Sequence, residues 1–134
     1  MIAEDYIARI AEAFSNGRYD ILLDSFDYPL PVYINRSAAT AIGRSETWSF
    51  LQALHGMIRA KGFQVVAGRL ISIELPQRDR FRMWVDWFGV ENGQNELLFK
   101  TICYNVGSHD VHRTEMIFLQ SQVLAEMEQL VKAA

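Results

Sequence analysis

The sequence predicts an α+β domain, and three observations carry that reading. Up to Gly62 the apolar residues mostly recur at three- and four-residue spacing, interrupted by one short extended stretch. After Gly62 the period changes to two and holds to residue 120. Turn signals then cut this second half into long strands: Pro76-Gln77-Arg78-Asp79, Asn92-Gly93 and Gly107-Ser108-His109-Asp110.

Taken in order, residues 4–16 form an amphipathic helix with Tyr6, Ile7, Ile10, Ala11 and Phe14 on one face, stopped by Asn16-Gly17. Residues 18–24 make a second, short helix. Tyr28 to Ile34 is extended, and Pro29 and Pro31 cannot donate ladder hydrogen bonds, so this strand starts irregularly or lies partly at an edge. Asn35-Arg36-Ser37 turns the chain into a short return strand, Ala38 to Ile42. Ser45 is the candidate N-cap of the clearest helix, whose stripe is Phe50, Leu51, Leu54, Met57 and Ile58 and whose end is Lys61-Gly62. Strands come next at 63–75, 80–91, 94–106 and 111–120, and Ser121 to Lys132 closes the chain as a helix.

With 134 residues the chain is sized for a single domain, 1–134. A net charge of −3 with no basic run excludes the footprint of a nucleic-acid binder. One cysteine, Cys103, excludes an internal disulfide framework and a cysteine-based zinc site. The first residues have no signal-peptide pattern, and no apolar run approaches the ~18–20 residues of a membrane span. A cytoplasmic protein is expected, with no membrane contact, no metal and no cofactor.

Residues Arg80 to Val90 alternate most clearly. One face carries Arg82, Trp84, Asp86 and Phe88, and the other Phe81, Met83, Val85 and Trp87. The Asn92-Gly93 turn sets Glu91 opposite Gln94 and, counting back, Phe88 opposite Leu97, Asp86 opposite Phe99 and Trp84 opposite Thr101. The loop before places Arg69 opposite Asp86, and the loop after places Asn105 opposite His112 and Cys103 opposite Thr114. One face then gathers aromatics with small polar groups, as a small-molecule pocket does: Trp84, Asp86, Phe88, Phe99, Thr101, Cys103, Asn105, His112 and Met116. The other, with Phe81, Met83, Trp87, Ile102 and Ile117 inside a charged rim, suits a homodimer interface.

The segment Ala13-Phe14-Ser15-Asn16-Gly17-Arg18-Tyr19-Asp20 and the Gly43-Arg44-Ser45 entry to the third helix, within this order of elements, resemble the nuclear transport factor 2-like superfamily and its SnoaL-like group. The resemblance implies a curved, mixed but largely antiparallel sheet wrapped around the long helix as a cone-shaped barrel, with a cavity at the wide end and often a homodimer. Ketosteroid isomerase activity is not implied, because the positions of that enzyme's tyrosine, base and second acid fall near Ile10, near Ile34 or Asn35, and near Thr101 or Ile102. Asp86 looks like the first aspartate of the epoxide hydrolases of this fold, with Arg82 and Arg69 as candidate arginines. Tyr33 and Asn35 are similar to the pair that holds water there.

Small hydrophobic-molecule binding is therefore expected, with cofactor-free isomerase, hydro-lyase or epoxide-hydrolase-like chemistry on Asp86 as one reading and a non-catalytic binding or dimerisation module as the other. Asp86 is open to two roles, a base in the pocket or half of an ion pair with Arg69. Arg82, Arg69 and His112 are its candidate partners in catalysis. Trp48 and His55 on the long helix join Tyr33 and Asn35 as candidate ligand contacts.

Overall fold

The computed structural model describes residues 2–35 and 40–121. Its elements are α1 (Ile2–Ser15), α2 (Tyr19–Leu23), β1 (Leu30–Ile34), β2 (Thr40–Ile42), α3 (Arg44–Ala60), β3 (Val65–Ile73), β4 (Arg80–Glu91), β5 (Gln94–Gly107) and β6 (His112–Gln120). The closing helix expected from Ser121 onward lies, past its first residue, outside the described residues. So does the start of the return strand before Thr40.

Local chemistry explains the helix ends. Gly17 adopts φ +73°, Arg18 N–H donates to the Ala13 carbonyl at 2.8 Å, and Gly17 N–H donates to that of Phe14 at 3.1 Å. This double bond pattern satisfies the last carbonyls of α1 and needs a left-handed residue, which glycine supplies. Gly62, at φ +101°, closes α3 in the same way, with Phe63 N–H reaching the Ile58 carbonyl at 3.3 Å. The start of α3 differs from expectation. Gly43 is its N-cap and Ser45 sits inside the first turn, where Glu46 favours the positive helix end.

The six strands form one open sheet in the order β2-β1-β6-β5-β4-β3. β1 runs parallel to β6, and every other neighbour is antiparallel. Pairing with β6 begins at Val32, so Pro29 and Pro31 fall before it and remove nothing from that ladder. α1 and α3 pack on the inner face. Phe14, Phe50, Leu51, Leu54 and Ile58 share one core with Leu30, Val32, Ile34, Leu98, Phe99 and Leu119.

The Asn92-Gly93 turn has the expected register. Beside the β3–β4 turn the pairing is one residue off, and beside the β5–β6 turn two residues off, with Asn105 opposite Thr114 rather than His112. Three β-bulges then shift the residues beyond them. From Asn92-Gly93, Glu91 pairs with Gln94 and Phe88 with Leu97; Leu98 is then unmatched, and Trp87 pairs with Phe99, Asp86 with Lys100 and Trp84 with Ile102. On β3 Arg69 pairs with Asp86 as expected, Ile71 is unmatched, and Ser72 rather than Ile71 faces Trp84. On β6 Asn105 pairs with Thr114, Glu115 is unmatched, and Cys103 pairs with Ile117. An extra residue reverses the parity of every position beyond it.

The two faces of β4 are thus exchanged relative to the sequence reading. Phe81, Met83 and Val85 are buried on the inner face, with Trp87 beside them. Arg82, Trp84 and Asp86 are on the outer face with Lys100, Ile102 and Tyr104. Of the residues expected at a dimer surface, Ile102 stays outside, whereas Phe81, Met83, Trp87 and Ile117 turn inward. Met116, paired with Tyr104, moves outward.

Gly68 on β3 makes room for this packing, since a Cβ there would lie 2.5 Å from Ile7 Cγ2 and 2.8 Å from the Trp87 ring. Gly68→Ala should therefore destabilise the fold by about 1–3 kcal/mol through overpacking. Urea denaturation with an unchanged m value checks this, and wild-type stability would count against the close approach.

Candidate functional site

The inner face, α1 and α3 enclose a cavity of about 120 Å³. α1 contributes Tyr6, Ile7, Ile10 and Phe14; α3 contributes Thr47, Phe50, Leu51 and Leu54; the sheet contributes Met83, Val85, Trp87, Phe99, Thr101, Cys103 and Ile117 among others. The wall is almost wholly apolar, and among the described residues no carboxylate, lysine, arginine or histidine lines it.

Most polar groups at the wall already have partners. Ser25 Oγ donates to the Leu22 carbonyl at 2.7 Å, and Thr47 Oγ1 to that of Gly43 at 2.7 Å. Thr101 Oγ1 accepts the Trp87 indole N–H at 2.8 Å, and Thr114 Oγ1 donates to Asn105 Oδ1 at 2.7 Å. Burial pushes the Cys103 thiol up to about 11. Burial, followed by the neighbouring Cys103, pushes the Tyr6 phenol up to about 12, against smaller opposing effects of Ser25 and Arg9. Both shifts favour the neutral, protonated forms of these groups at neutral pH.

The structure separates the predicted site residues. Phe99, Thr101 and Cys103 line the cavity, and Asn105 is buried next to Thr114. Asp86 and Trp84 instead border a groove of about 290 Å³ on the opposite face of the sheet, with Asn35, Ile71, Lys100, Ile102 and Phe118. By strand alternation Phe88 belongs to this outer face as well, and Tyr33 stacks on Phe118 at 4.3 Å. Asn35, at φ +54°, ties chain segments together, its Oδ1 accepting Ser121 N–H at 2.9 Å.

Neither arginine completes a catalytic pair with Asp86. Arg82 forks onto Glu74, Nε to Oε1 at 2.9 Å and Nη2 to Oε2 at 2.8 Å. The fork raises the guanidinium and lowers the carboxyl, and the Arg82 guanidinium also lies over the Trp84 ring at 5.0 Å. Arg69 is the cross-strand neighbour of Asp86, yet among the described residues no ion pair joins them.

None of the described histidines lines the cavity, and neither does Trp48. His55 is buried between helices against Phe14, its Nδ1 2.5 Å from the Tyr19 hydroxyl. Trp48 is exposed, edge-on to Tyr19. His112 rests against Tyr6 and Phe81 near the β5–β6 loop. Among the described residues no three potential ligands gather as a metal site, and no helix is long and apolar enough to cross a membrane.

Sequence reasoning missed the main wall of the cavity: Tyr6 as well as Met83, Val85, Trp87 and Ile117. Two signals point to them. Leu97-Leu98-Phe99 breaks the alternation of β5, as a bulge does, and the wholly apolar half of β4 matches the apolar stripe of α1.

No protein-family model matches the sequence, and no curated protein does. Solved structures do match in shape. Aln2 from a Streptomyces species aligns over 97% of this chain and 91% of its own, with a TM-score of 0.65 and 11% identity. An NTF2-like protein with a cystatin-like fold from Novosphingobium aromaticivorans aligns over 95% and 84%, with a TM-score of 0.61 and 15% identity. The chain has the nuclear transport factor 2-like fold. An NTF2-like protein of unknown function from Shewanella oneidensis gives a TM-score of 0.59 at 13% identity, covering 83% of this chain and 89% of its own. At these identities the likeness carries the α+β fold, and the chemistry has to be argued from this chain's own residues.

Burial holds both His55 and His112 below the ordinary histidine value, with the Arg59 charge adding to the effect on His55. The unfolded chain then binds protons before the folded one as pH falls. Stability should be full above about pH 6.5 and decline below it, towards the lowered folded values. Denaturation midpoints at pH 8.0 and 5.5 check this, and His55→Gln should lessen the decline. A profile flat across this range would contradict the assignment.

Proposed function

We propose that this protein is a non-catalytic binder of a small, uncharged hydrophobic molecule in its internal cavity. The observation that carries the reading is the sorting of charge across the sheet. The cavity wall is apolar and holds no ionised group among the described residues, while Asp86 and both arginines are on the outer face. General acid–base chemistry needs a titratable group within hydrogen-bond reach of the substrate and poised near the working pH. Asp86 cannot reach a ligand in this cavity. Apolar cavities of this order do bind small aromatic molecules.

Toluene should raise the melting temperature of the wild type by roughly 10 °C at a hundredfold excess over Kd, from about 2.7 kcal/mol of linkage. Asp86→Asn should keep that shift, and the cavity-filling Val85→Phe should lose it. Loss of the shift in Asp86→Asn alone would overturn the reading in favour of an Asp86 site.

The outer face supports a second element, pairing with another copy of the chain. Trp84, Tyr104, Phe118 and Tyr33 are only half-buried there, and Ile71 is 52% exposed. Asp86 and Lys100 are cross-strand neighbours of opposite charge, so a two-fold copy can set each against the other. This replaces the interface expected from the sequence, keeping Ile102 from it. Ile102→Glu should turn a dimer into a monomer in light scattering while leaving the toluene shift intact. A wild-type monomer would refute the pairing.

A further inference from the structure

Two side-chain atoms inside the fold have no hydrogen-bond partner among the described residues, Nδ2 of Asn105 and Nε2 of His112. Asn105 is 1% exposed, and buried amide donors are rarely left unpaired. The two residues share one strip of the inner sheet face. Asn105 pairs with Phe81 on β4 and Thr114 on β6, and His112 comes two residues before Thr114 with its ring 5.2 Å from that of Phe81. This strip continues the cavity wall. Cys103 and Thr114 line the cavity, and Tyr6, which lines it from α1, stands edge-on to His112 at 4.5 Å.

The two atoms are chemically complementary. Thr114 donates its hydroxyl proton to Asn105 Oδ1, which leaves Nδ2 as a donor. His112 Nδ1 lies 3.2 Å from the Ser108 carbonyl, which can only accept, so Nδ1 carries the proton. Burial keeps the ring neutral, and Nε2 is then a bare acceptor. A hydroxyl group both accepts and donates, so it satisfies both atoms. A ketone or aldehyde would satisfy Asn105 alone, and an ammonium would satisfy His112 alone.

Resting on the reading of the cavity as a ligand site, we propose that the ligand is an uncharged hydrophobic alcohol or phenol whose hydroxyl sits between Asn105 Nδ2 and His112 Nε2. The hydrocarbon part lies against the apolar wall. Tyr6, in contact with both the cavity and His112, is the side chain that turns aside to admit the hydroxyl.

Calorimetric titration of the full chain with p-cresol, its isostere p-xylene and p-tolualdehyde tests this. p-Cresol should bind about tenfold more tightly than the other two. Asn105→Ala and His112→Phe should each remove that preference while keeping p-xylene affinity; His112→Phe retains a ring against Tyr6 and carries the comparison if Asn105→Ala does not fold. Equal or tighter binding of p-xylene to the wild type would overturn the hydroxyl seat, assign the two atoms to an enclosed water, and leave the cavity reading standing. If none of the three probes binds, the cavity reading falls and the hydroxyl seat falls with it.

Discussion

Between the pairs Phe88–Leu97 and Trp87–Phe99, β5 contains one more residue than β4, and Leu98 has no cross-strand partner. The Leu98 side chain is 1% exposed, and burying it contributes roughly 1.5–3 kcal/mol. Its carbonyl accepts the Ser121 hydroxyl at 2.6 Å, and Ser121 N–H in turn donates to Asn35. The bulge is thereby tied to the ends of β6 and β1. A bulge bends its strand and increases the local twist, which suits a sheet that must curve over α1 and α3.

The same extra residue decides the electrostatics. Beyond Leu98, Phe99, Thr101 and Cys103 are carried inward with Trp87, Val85 and Met83, while Lys100 is carried outward beside Asp86. The Glu115 bulge repeats the effect on β6, bringing Ile117 and Leu119 inward and sending Met116 and Phe118 outward. The interior therefore contains groups that stay neutral, and the ionised ones remain where water or a second copy can reach them. An apolar cavity is the consequence of this parity.

Much of the fold was legible in the residues. The change of period at Gly62, the Gly17 stop and the Asn92-Gly93 turn placed elements to within a few positions, because each reports a local backbone preference. Arg69 does stand opposite Asp86, but the count from the turn reached it only because the Ile71 bulge cancels a one-residue offset next to that turn. Which face became the cavity was not. Parity propagates along a strand, so one unrecognised residue at Leu98 or Glu115 reverses every position beyond it. Asp86 drew attention as a carboxylate among aromatics and arginines, a pattern that an exposed outer face also produces. Asn105 was legible as a member of the pocket face, and Tyr6 only as a member of a helix stripe. The place of Tyr6 in the cavity wall depended on tertiary packing.

The pairing of β4 with β5 on either side of Leu98 is the most direct point of test. Cross-strand backbone nuclear Overhauser effects read this pairing without reference to ligand or oligomeric state. Contacts joining Asp86 to Lys100 and Trp84 to Ile102 are expected, alongside the Trp87 indole N–H close to the Thr101 side chain. Contacts joining Asp86 to Phe99 and Trp84 to Thr101 would contradict the bulge, return Asp86 to the cavity face and reopen the case for catalysis.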